Sequence, residues 1–230
     1  ACVMEIHQPS QDLYDFISKW IAQDFFFSRN DRWDRFGMLG VFGDYILSST
    51  PGDILEIGVG ESSVYLTALS KKYNRRIYHC DISPSKIINP MTVDGYLSSD
   101  CVYVTETAGS WAYARCILFA GSSDEMFKKL DISPIALGFI DGDHIYEQVK
   151  KDFYNVLNYI VDDGWIILHD GSPPSEEYLD ENHCGGVWKL RKEIEENKDL
   201  DCITLTRGCA MSVGLTLVRK RKKARVYFQA

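Results

Sequence analysis

Several features that would place this chain outside ordinary globular proteins are missing from its 230 residues. No apolar run approaches the roughly 18 residues of a membrane-spanning helix, and the first residues show no basic-then-apolar secretory pattern. No internal repeat or low-complexity linker interrupts the chain. We therefore expect a folded, cytoplasmic protein that has no membrane partner.

Excess positive charge and paired cysteines are also missing. Lys and Arg number 25 against 33 Asp and Glu, which leaves a formal net charge of -8. Proteins that bind duplex nucleic acid are normally basic, so nucleic acid is not an expected partner. The cysteine count of 7 is odd and no two cysteines form a Cys-x-x-Cys pair, which predicts reduced thiols and no disulfide framework.

The apolar residues, by contrast, are plentiful and regularly placed. Hydrophobic residues make up 45% of the chain, enough for a large buried core. Short apolar runs predict strands over residues 54–57, 77–80, 116–120, 135–140, 165–168, 203–206 and 213–218. Apolar residues at helical spacing predict helices over 13–21, 63–73, 124–130, 145–161 and 187–196.

The order of these elements predicts an α/β fold. The strands show little polar alternation, which is typical of a parallel sheet covered by helices on both faces. Only residues 207–212 separate the last two strands, too few for a crossover helix, so these strands should form an antiparallel hairpin at the sheet edge. We expect a helical extension at 1–50, a main domain at 51–218 and a basic tail at 219–230.

A glycine-rich turn at residues 53–63 is the most informative segment, because it joins a buried strand to a helix. Ligands of open α/β sheets bind at the carboxyl ends of the strands, where such turns lie. Gly58 and Gly60 allow close approach of backbone and ligand, but Ser63 replaces the third glycine of the dinucleotide fingerprint. A tight turn of purely structural origin is the alternative.

Glu56 indicates the charge of the ligand, because it lies two residues before Gly58, close to where a pyrophosphate would rest. A carboxylate there repels phosphates and attracts an ammonium group. A ligand with an adenosine, no phosphate and a cationic amino-acid end fits both observations. S-adenosylmethionine is that ligand.

Two later strand ends complete the predicted nucleoside site. Asp81 follows the second strand and can accept hydrogen bonds from the ribose hydroxyls of S-adenosylmethionine or of NAD. A cap of the following turn or helix is the alternative role for this carboxylate. Gly121 and Ser122 are small enough to admit an adenine ring, although Ser123 or Asp124 as a helix N-cap explains the segment equally well.

Four segments together resemble the class I S-adenosylmethionine-dependent methyltransferases, namely 54–60, Asp81, 139–147 and 164–170. The last two are similar to a branch of small-molecule O-methyltransferases that act on sugars and natural products. The resemblance implies a doubly wound, Rossmann-like sheet of seven strands that is mostly parallel, with an antiparallel last strand. It also implies that the cofactor is bound by Glu56, Gly58, Gly60, Ser62, Ser63, Asp81, Gly121, Ser122 and Asp141.

Acidic and histidine side chains follow the fourth and fifth predicted strands. They are Asp141, Asp143 and His144, and then His169 and Asp170. Methyl transfer to a hydroxyl needs a general base or a metal ion that stabilises the alkoxide. In one hypothesis His144 is the base and Asp141 or Asp143 holds its tautomer. In the other, Asp141, His169 and Asp170 bind a divalent cation (Mg, Mn or Zn), although imidazole makes Mg the least suitable.

Purely structural roles are the alternative for several of these residues. Asp143 is also a natural cap for the helix that begins near residue 145, and His169 is also a natural buried core histidine. The polar stretch at 172–186 is long enough to be a lid or binding loop, with Tyr178 and His183 as candidate substrate contacts. We expect most of the N-terminal aromatics to be core packing, namely Trp33, Phe36 and Phe42.

The sequence leaves three classes of function open. The leading one is a methyltransferase that acts on a small-molecule acceptor. An NAD-dependent oxidoreductase and a cofactor-binding module without catalysis are the alternatives. The expected partner is the acceptor, and a homodimer is also open.

Overall fold

The structure is a computed structural model, and it describes residues 36–60, 62–83, 101–104, 115–205 and 213–221. The helix predicted over 13–21, Trp33 and the tail from residue 222 onward lie outside the described residues. Among the helices described, none has both the length and the apolar character needed to span a bilayer.

Helices and strands alternate along the described chain. The helices are α1 (Gly37–Ser49), α2 (Ser62–Tyr73), α3 (Ser123–Lys129), α4 (Tyr146–Tyr159) and α5 (Gly185–Glu196), with a short 3-10 helix at Glu176–Tyr178. The strands are β1 (Asp53–Ile57), β2 (Ile77–Asp81), β3 (Cys101–Val104), β4 (Cys116–Ala120), β5 (Ile135–Ile140), β6 (Ile160–His169), β7 (Leu200–Leu205) and β8 (Leu215–Lys220). All seven predicted strands are present, and β3 is an additional one.

The strands form a single mixed sheet in the order β3-β4-β2-β1-β5-β6-β8-β7. Neighbours from β3 to β6 are parallel. Only β8 is reversed among the described strands, because it runs antiparallel to both β6 and β7. The predicted doubly wound sheet with an antiparallel last strand is confirmed, and β3 extends the predicted seven strands by a short strand at the edge.

Apolar side chains cover both faces of this sheet. On one face α1 and α2 pack through residues such as Phe42 and Leu66, and on the other α4 and α5 pack through Phe153 and Leu190. All 6 residues of β5 are buried, as expected for a central strand covered on both sides. Phe36 and Phe42 belong to the core, which confirms their predicted packing role.

Several element boundaries differ from the predicted ones, and three of the differences matter for the description of the chain. Helix α4 ends at Tyr159 and β6 begins at once, so the helix is shorter and the strand longer than predicted. Strand β8 continues to Lys220, so the first residues of the predicted tail belong to the sheet, and Arg219 contacts Asp201 of β7. The stretch predicted as a structureless loop contains the 3-10 helix and the start of α5 at Gly185.

The expectation of reduced thiols is wrong at Cys116, which is disulfide-bonded. Cys116 is the first residue of β4, and its register partner in the parallel ladder is Cys101 of β3. No spacing motif in the sequence marks this cysteine, which is why the sequence pattern did not reveal the bond. Cys80, Cys184 and Cys202 are free, as predicted.

A buried carboxylate on α4 leads to a prediction about pH. Asp152 accepts hydrogen bonds from Ser123 (2.5 Å) and Gln148 (3.0 Å). Burial raises the pKa of Asp152, and these two hydrogen bonds only partly oppose the rise. The folded state therefore binds the proton more tightly than the unfolded state does. The stability that this group contributes is present at low pH and is lost as pH rises through the raised pKa.

We expect Asp152→Asn to be more stable than the wild type near pH 8, with a difference that shrinks toward pH 4. The asparagine oxygen can accept the same two hydrogen bonds without carrying a charge. Urea unfolding of both proteins across this pH range measures the effect. Asp131→Asn, which replaces an exposed carboxylate, is the control. A stability difference that is constant with pH would contradict the prediction.

Candidate active site

The winding direction of the sheet changes at β1. Strand β1 pairs with β2 on one side and with β5 on the other. In open α/β sheets, the crevice at the carboxyl ends of two such strands is the usual ligand site. The residues that follow β1 and β5 therefore meet there.

Gly58 allows the segments that follow β1 and β5 to come into contact. Its φ is 89°, and a Cβ at this position would lie 2.0 Å from the carbonyl oxygen of Asp141. The Asp141 N–H also donates to the Ile57 carbonyl at 2.8 Å. Only glycine fits, so Gly58 has the structural role that the sequence left as an alternative. The same contact places Asp141 directly against the turn.

The backbone amides of the turn are already engaged. Gly58 N–H donates to the Cys80 carbonyl at 2.9 Å, and Val59 N–H donates to Oδ2 of Asp81 at 2.9 Å. Gly60 N–H donates to Oγ of Ser63 at 3.1 Å. Phosphate sites at such turns depend on backbone amides that are free to bind the anion. These three amides are therefore not available to a pyrophosphate.

Gly60 differs from Gly58 because it faces open space. A Cβ at Gly60 would have no heavy atom of the described chain within 4 Å. Its backbone angles are also compatible with other residues, since its φ does not fall in the left-handed region. Among the described residues, none crowds the side of the turn at Gly60.

Glu56 lies beneath the turn and has no exposed surface. Its Oε1 accepts the Ser62 hydroxyl at 2.5 Å, and its Oε2 accepts the Ser63 hydroxyl at 2.7 Å. The Nδ1 atom of His79 is hydrogen-bonded to the same Oε2. Glu56 is therefore linked to the turn through the two serine hydroxyls.

Asp81 and the segment after β4 lie next to the turn. Besides the Val59 amide, Asp81 accepts the Ser83 N–H at 2.7 Å, and its carbonyl accepts the Gly121 N–H at 2.9 Å. Ser122 is the N-cap of α3, because its hydroxyl accepts the Glu125 N–H at 3.3 Å. The cap is therefore one residue before Ser123 and two before Asp124, the two candidates in the sequence analysis.

The structure brings four of the five predicted acidic and histidine residues into one cluster. Nδ1 of His169 lies 3.1 Å from Oδ1 of Asp141 and 2.8 Å from Oδ2 of Asp170. Nε2 of His144 lies 3.1 Å from the same Oδ2 of Asp170 and 3.8 Å from Asp141. Asp170 has φ 62°, a left-handed conformation that non-glycine residues adopt at a cost and that is frequent at functional sites.

Asp143 is not part of the cluster. Its side chain is exposed and accepts the Ile145 N–H at 2.9 Å, just before α4 begins. This bond closes a turn before the helix and does not cap it, because the N-cap residue of α4 is Ile145 and no side chain caps that end. The same segment turns His144 inward toward Asp170 while Asp143 faces solvent.

The carboxylates raise the pKa values of both histidines. Hydrogen bonds to Asp141 and Asp170 raise the pKa of His144 to about 10 in spite of its burial. Burial lowers the pKa of His169, but hydrogen bonds to the same two carboxylates outweigh it and raise the pKa to about 10. Burial raises the pKa of Asp170, but bonds to both imidazoles bring it well below its usual range. Both imidazoles therefore retain their proton at neutral pH.

Three residues of the cluster could also hold a metal ion. Asp141, His144 and Asp170 each offer one ligand atom, and these atoms lie within 4.8 Å of one another. The set contains His144 where the sequence analysis placed His169. His169 instead bonds to both carboxylates and orients them.

A cavity of about 360 Å³ opens at this cluster. Tyr178 and His183, the two predicted substrate contacts, lie on its wall together with the cluster residues. Nδ1 of His183 bonds to both oxygens of Asp180, 3.0 Å from each, and the Tyr178 ring packs edge-on against the His183 ring. The stretch predicted as a lid or loop therefore supplies one wall of the cavity.

Sequence reasoning missed several residues of the site. Phe36 lines the cavity, and its ring lies 5.2 Å from that of His169. Gly186 lies under His144, since a Cβ there would be 1.9 Å from the His144 carbonyl oxygen. His79 was missed as well, although a histidine in a strand whose 5 residues are all buried signals a polar partner on a neighbouring strand.

Comparison with known proteins relates this geometry to a family. A family model described as a methyltransferase domain matches residues 55–171. Cofactor-bound Rv0187 from MTB shares the fold with a TM-score of 0.62 at 15% identity, over 95% of this chain and 94% of that one. The SAM-bound O-methyltransferase TomG from Streptomyces achromogenes, involved in tomaymycin synthesis, has a TM-score of 0.58 at 14% identity, over 95% and 93% of the two chains.

A third structure, the O-methyltransferase from Bacillus cereus in complex with SAH, has a TM-score of 0.57 at 14% identity, over 94% of each chain. Identities this low show a common fold. No curated protein sequence matches the chain significantly.

Proposed function

Because the chain belongs to the family of methyltransferase domains, we propose that it transfers a methyl group from S-adenosylmethionine to a hydroxyl group of a small molecule. The observation that carries the proposal is the contact between Gly58 and Asp141. It joins the turn proposed for the cofactor to the cluster proposed for the acceptor. The cavity of about 360 Å³ at that cluster is of a size that suits a small molecule.

The cofactor residues follow from the strand ends around this contact. We assign the amino-acid end of the cofactor to the glycine turn, where it would approach Gly58 and Gly60. The residues beneath and beside this end of the cofactor would be Glu56, Ser62 and Ser63. The engaged turn amides and the buried Glu56 carboxylate favour a ligand with a cationic end over one with phosphates.

The nucleoside is assigned to the neighbouring strand ends. Asp81 would accept the ribose hydroxyls, and Gly121 with Ser122 would border the adenine. Asp141 lies between the nucleoside side and the acceptor cavity, because its backbone contacts the turn while its carboxylate belongs to the cluster. The SAM-bound and SAH-bound O-methyltransferases that share the fold support this choice of cofactor.

For the acceptor side we propose a divalent cation held by Asp141, His144 and Asp170. Two carboxylates and an imidazole fit a divalent ion, and the imidazole favours Mn or Zn over Mg. A bound cation would supply a Lewis acid that lowers the pKa of the acceptor hydroxyl. His169 would orient the two carboxylates, and Phe36 and Tyr178 would shield the cavity from water.

A metal-independent mechanism remains the second hypothesis for this site. In it His144 is the general base once it has lost the proton that its raised pKa retains at neutral pH, and Asp170 or Asp141 orients its ring through the contacts of 3.1 and 3.8 Å. Asp143 has no part in it, because its side chain faces solvent. The metal-binding experiment below separates the two mechanisms.

The test of the proposed function is calorimetric titration of the purified protein with SAH and, separately, with NAD. We expect SAH to bind with a micromolar Kd, on the order of 1–100 μM, and NAD to give no saturable heat. Binding of NAD without binding of SAH would make the oxidoreductase alternative correct. A protein that binds SAH but methylates none of a broad panel of phenols, sugars and macrolides would favour the non-catalytic module.

The cation proposal makes its own prediction. Titration with Mn²⁺, followed by the loss of the free-ion EPR signal, should show one site in the wild type, weakened at least about tenfold in Asp170→Asn. Asp143→Asn removes a carboxylate of the neighbouring segment that lies outside the cluster, so it should bind Mn²⁺ like the wild type. Equal binding by all three proteins would exclude this cluster as the site and favour His144 as a base.

A further inference from the structure

The underside of the glycine turn holds a polar network for which methyl transfer has no direct use. Glu56 on β1 and His79 on β2 are register partners, and neither residue has exposed surface. A carboxylate and an imidazole are rarely buried this deeply unless each is paired. The pairing here satisfies both groups, but two apolar residues would pack in a sheet at lower cost.

The network continues from Glu56 to the start of α2. Its two oxygens accept the hydroxyls of Ser62 and Ser63, which are the first two residues of that helix. Ser63 in turn accepts the Gly60 N–H at 3.1 Å. A continuous chain of hydrogen bonds therefore runs from the buried strand pair to the turn that faces open space.

His79 is the member of the network that fixes the carboxylate. Its Nδ1 bonds to Oε2 of Glu56, and its Nε2 lies 3.3 Å from the Thr67 hydroxyl on α2. The ring is thus held between a strand and a helix and has no exposed surface. Without its Nδ1 partner, the Glu56 oxygen would keep only one hydrogen bond, and a buried carboxylate in that state turns toward other donors.

We propose that His79 is a positioning residue for the amino-acid end of the cofactor. It holds Glu56 in the orientation that fixes the hydroxyls of Ser62 and Ser63, and through Ser63 it fixes the amide of Gly60. It does not touch the cofactor. The inference rests on the proposed function, since it assumes that the amino-acid end lies at this turn.

The test compares two ligands that differ only at that end. SAH carries the amino-acid group, whereas 5′-methylthioadenosine has the same thioether nucleoside without it. We expect His79→Leu to weaken SAH binding by about 10- to 100-fold, since a hydrogen bond to a charged group is lost, and to change 5′-methylthioadenosine binding by less than about threefold. Calorimetry gives both dissociation constants.

Two further variants show whether the Nδ1 contact is responsible. An asparagine amide can donate from nearly the place of Nδ1, so His79→Asn should keep SAH affinity within about fivefold of the wild type. Thr67→Val removes the contact on the other side of the ring and should leave both ligands close to wild-type affinity. If His79 had only a packing role, its replacement would change the affinities for SAH and for 5′-methylthioadenosine to a similar extent.

Each possible result for the His79 variants either supports or overturns the positioning role of His79. An equal loss of affinity for both ligands, or no loss, in His79→Leu would overturn the proposal. If that variant does not fold, His79→Gln decides, because its longer side chain places the amide near Nε2 rather than Nδ1, which keeps the contact with Thr67 and removes the one with Glu56. Selective loss of SAH affinity in His79→Gln supports the proposal, and unchanged SAH affinity overturns it. A wild-type protein that fails to bind SAH would instead refute the proposed function.

Discussion

Replacing Gly58 with alanine should destabilise the protein by about 3–5 kcal/mol. The new Cβ would lie 2.0 Å from the carbonyl oxygen and 2.4 Å from the carbonyl carbon of Asp141, and 2.7 Å from the Gly142 nitrogen. All three atoms are backbone, so no side chain can move aside. The φ of 89° adds strain for any L-residue. For a chain of this length the melting temperature should fall by roughly 10 °C or more.

Gly60→Ala is the matched control, because it makes the same chemical change two residues away. Its Cβ would meet no described heavy atom within 4 Å, so the melting temperature should stay within a few degrees of the wild type. Thermal unfolding followed by circular dichroism measures both variants without any ligand. If the two variants were equally stable, the close approach of β1 and β5 described here would be incorrect.

The general fold could be predicted because the relevant signals are local. Buried strands alternate with amphipathic helices, and the short connection before β8 leaves an antiparallel hairpin as the natural arrangement. Strand β3 could not be predicted in this way, since its 4 residues are too few to show a periodicity. The disulfide at Cys116 was missed because no cysteine spacing motif in the sequence marks it.

The part of the candidate site that depends only on strand order could be predicted from the sequence. Parallel strands that end at the same edge bring Asp141 and His144 next to His169 and Asp170, and the structure places them within 4 Å of one another in pairs. A residue that is adjacent to these in sequence does not necessarily join the cluster. Asp143 lies between two cluster residues in sequence, yet it faces solvent, because the chain turns there to begin α4.

The role of Glu56 depends on a partner that lies in another part of the sequence. Reasoning from the turn alone predicted a carboxylate that meets the ligand directly. The structure pairs Glu56 with His79 across the β1–β2 ladder and covers it with the serines of α2. A register of one residue either way would have placed the two side chains on opposite faces of the sheet. Register is a tertiary property, which a single sequence does not reveal.

Replacing Gly60 with leucine should weaken SAH binding at least about a hundredfold while leaving the fold intact. The proposed cofactor end lies where the missing side chain of Gly60 leaves open space, and a leucine would fill that space. The backbone at Gly60 accepts an L-residue, so the free protein should lose little stability. The leucine side chain should therefore block SAH binding without lowering the stability of the protein. Calorimetric titration with SAH measures the loss of affinity.

The alanine variant used above as a stability control completes this series. A methyl group occupies only part of the space, so Gly60→Ala should bind SAH with an affinity between those of the wild type and Gly60→Leu. Graded loss of affinity with a constant melting temperature is expected only if the ligand approaches this side of the turn. If Gly60→Leu bound SAH as tightly as the wild type, the amino-acid end would lie elsewhere, and the assignment of Ser62 and Ser63 to it would also be wrong.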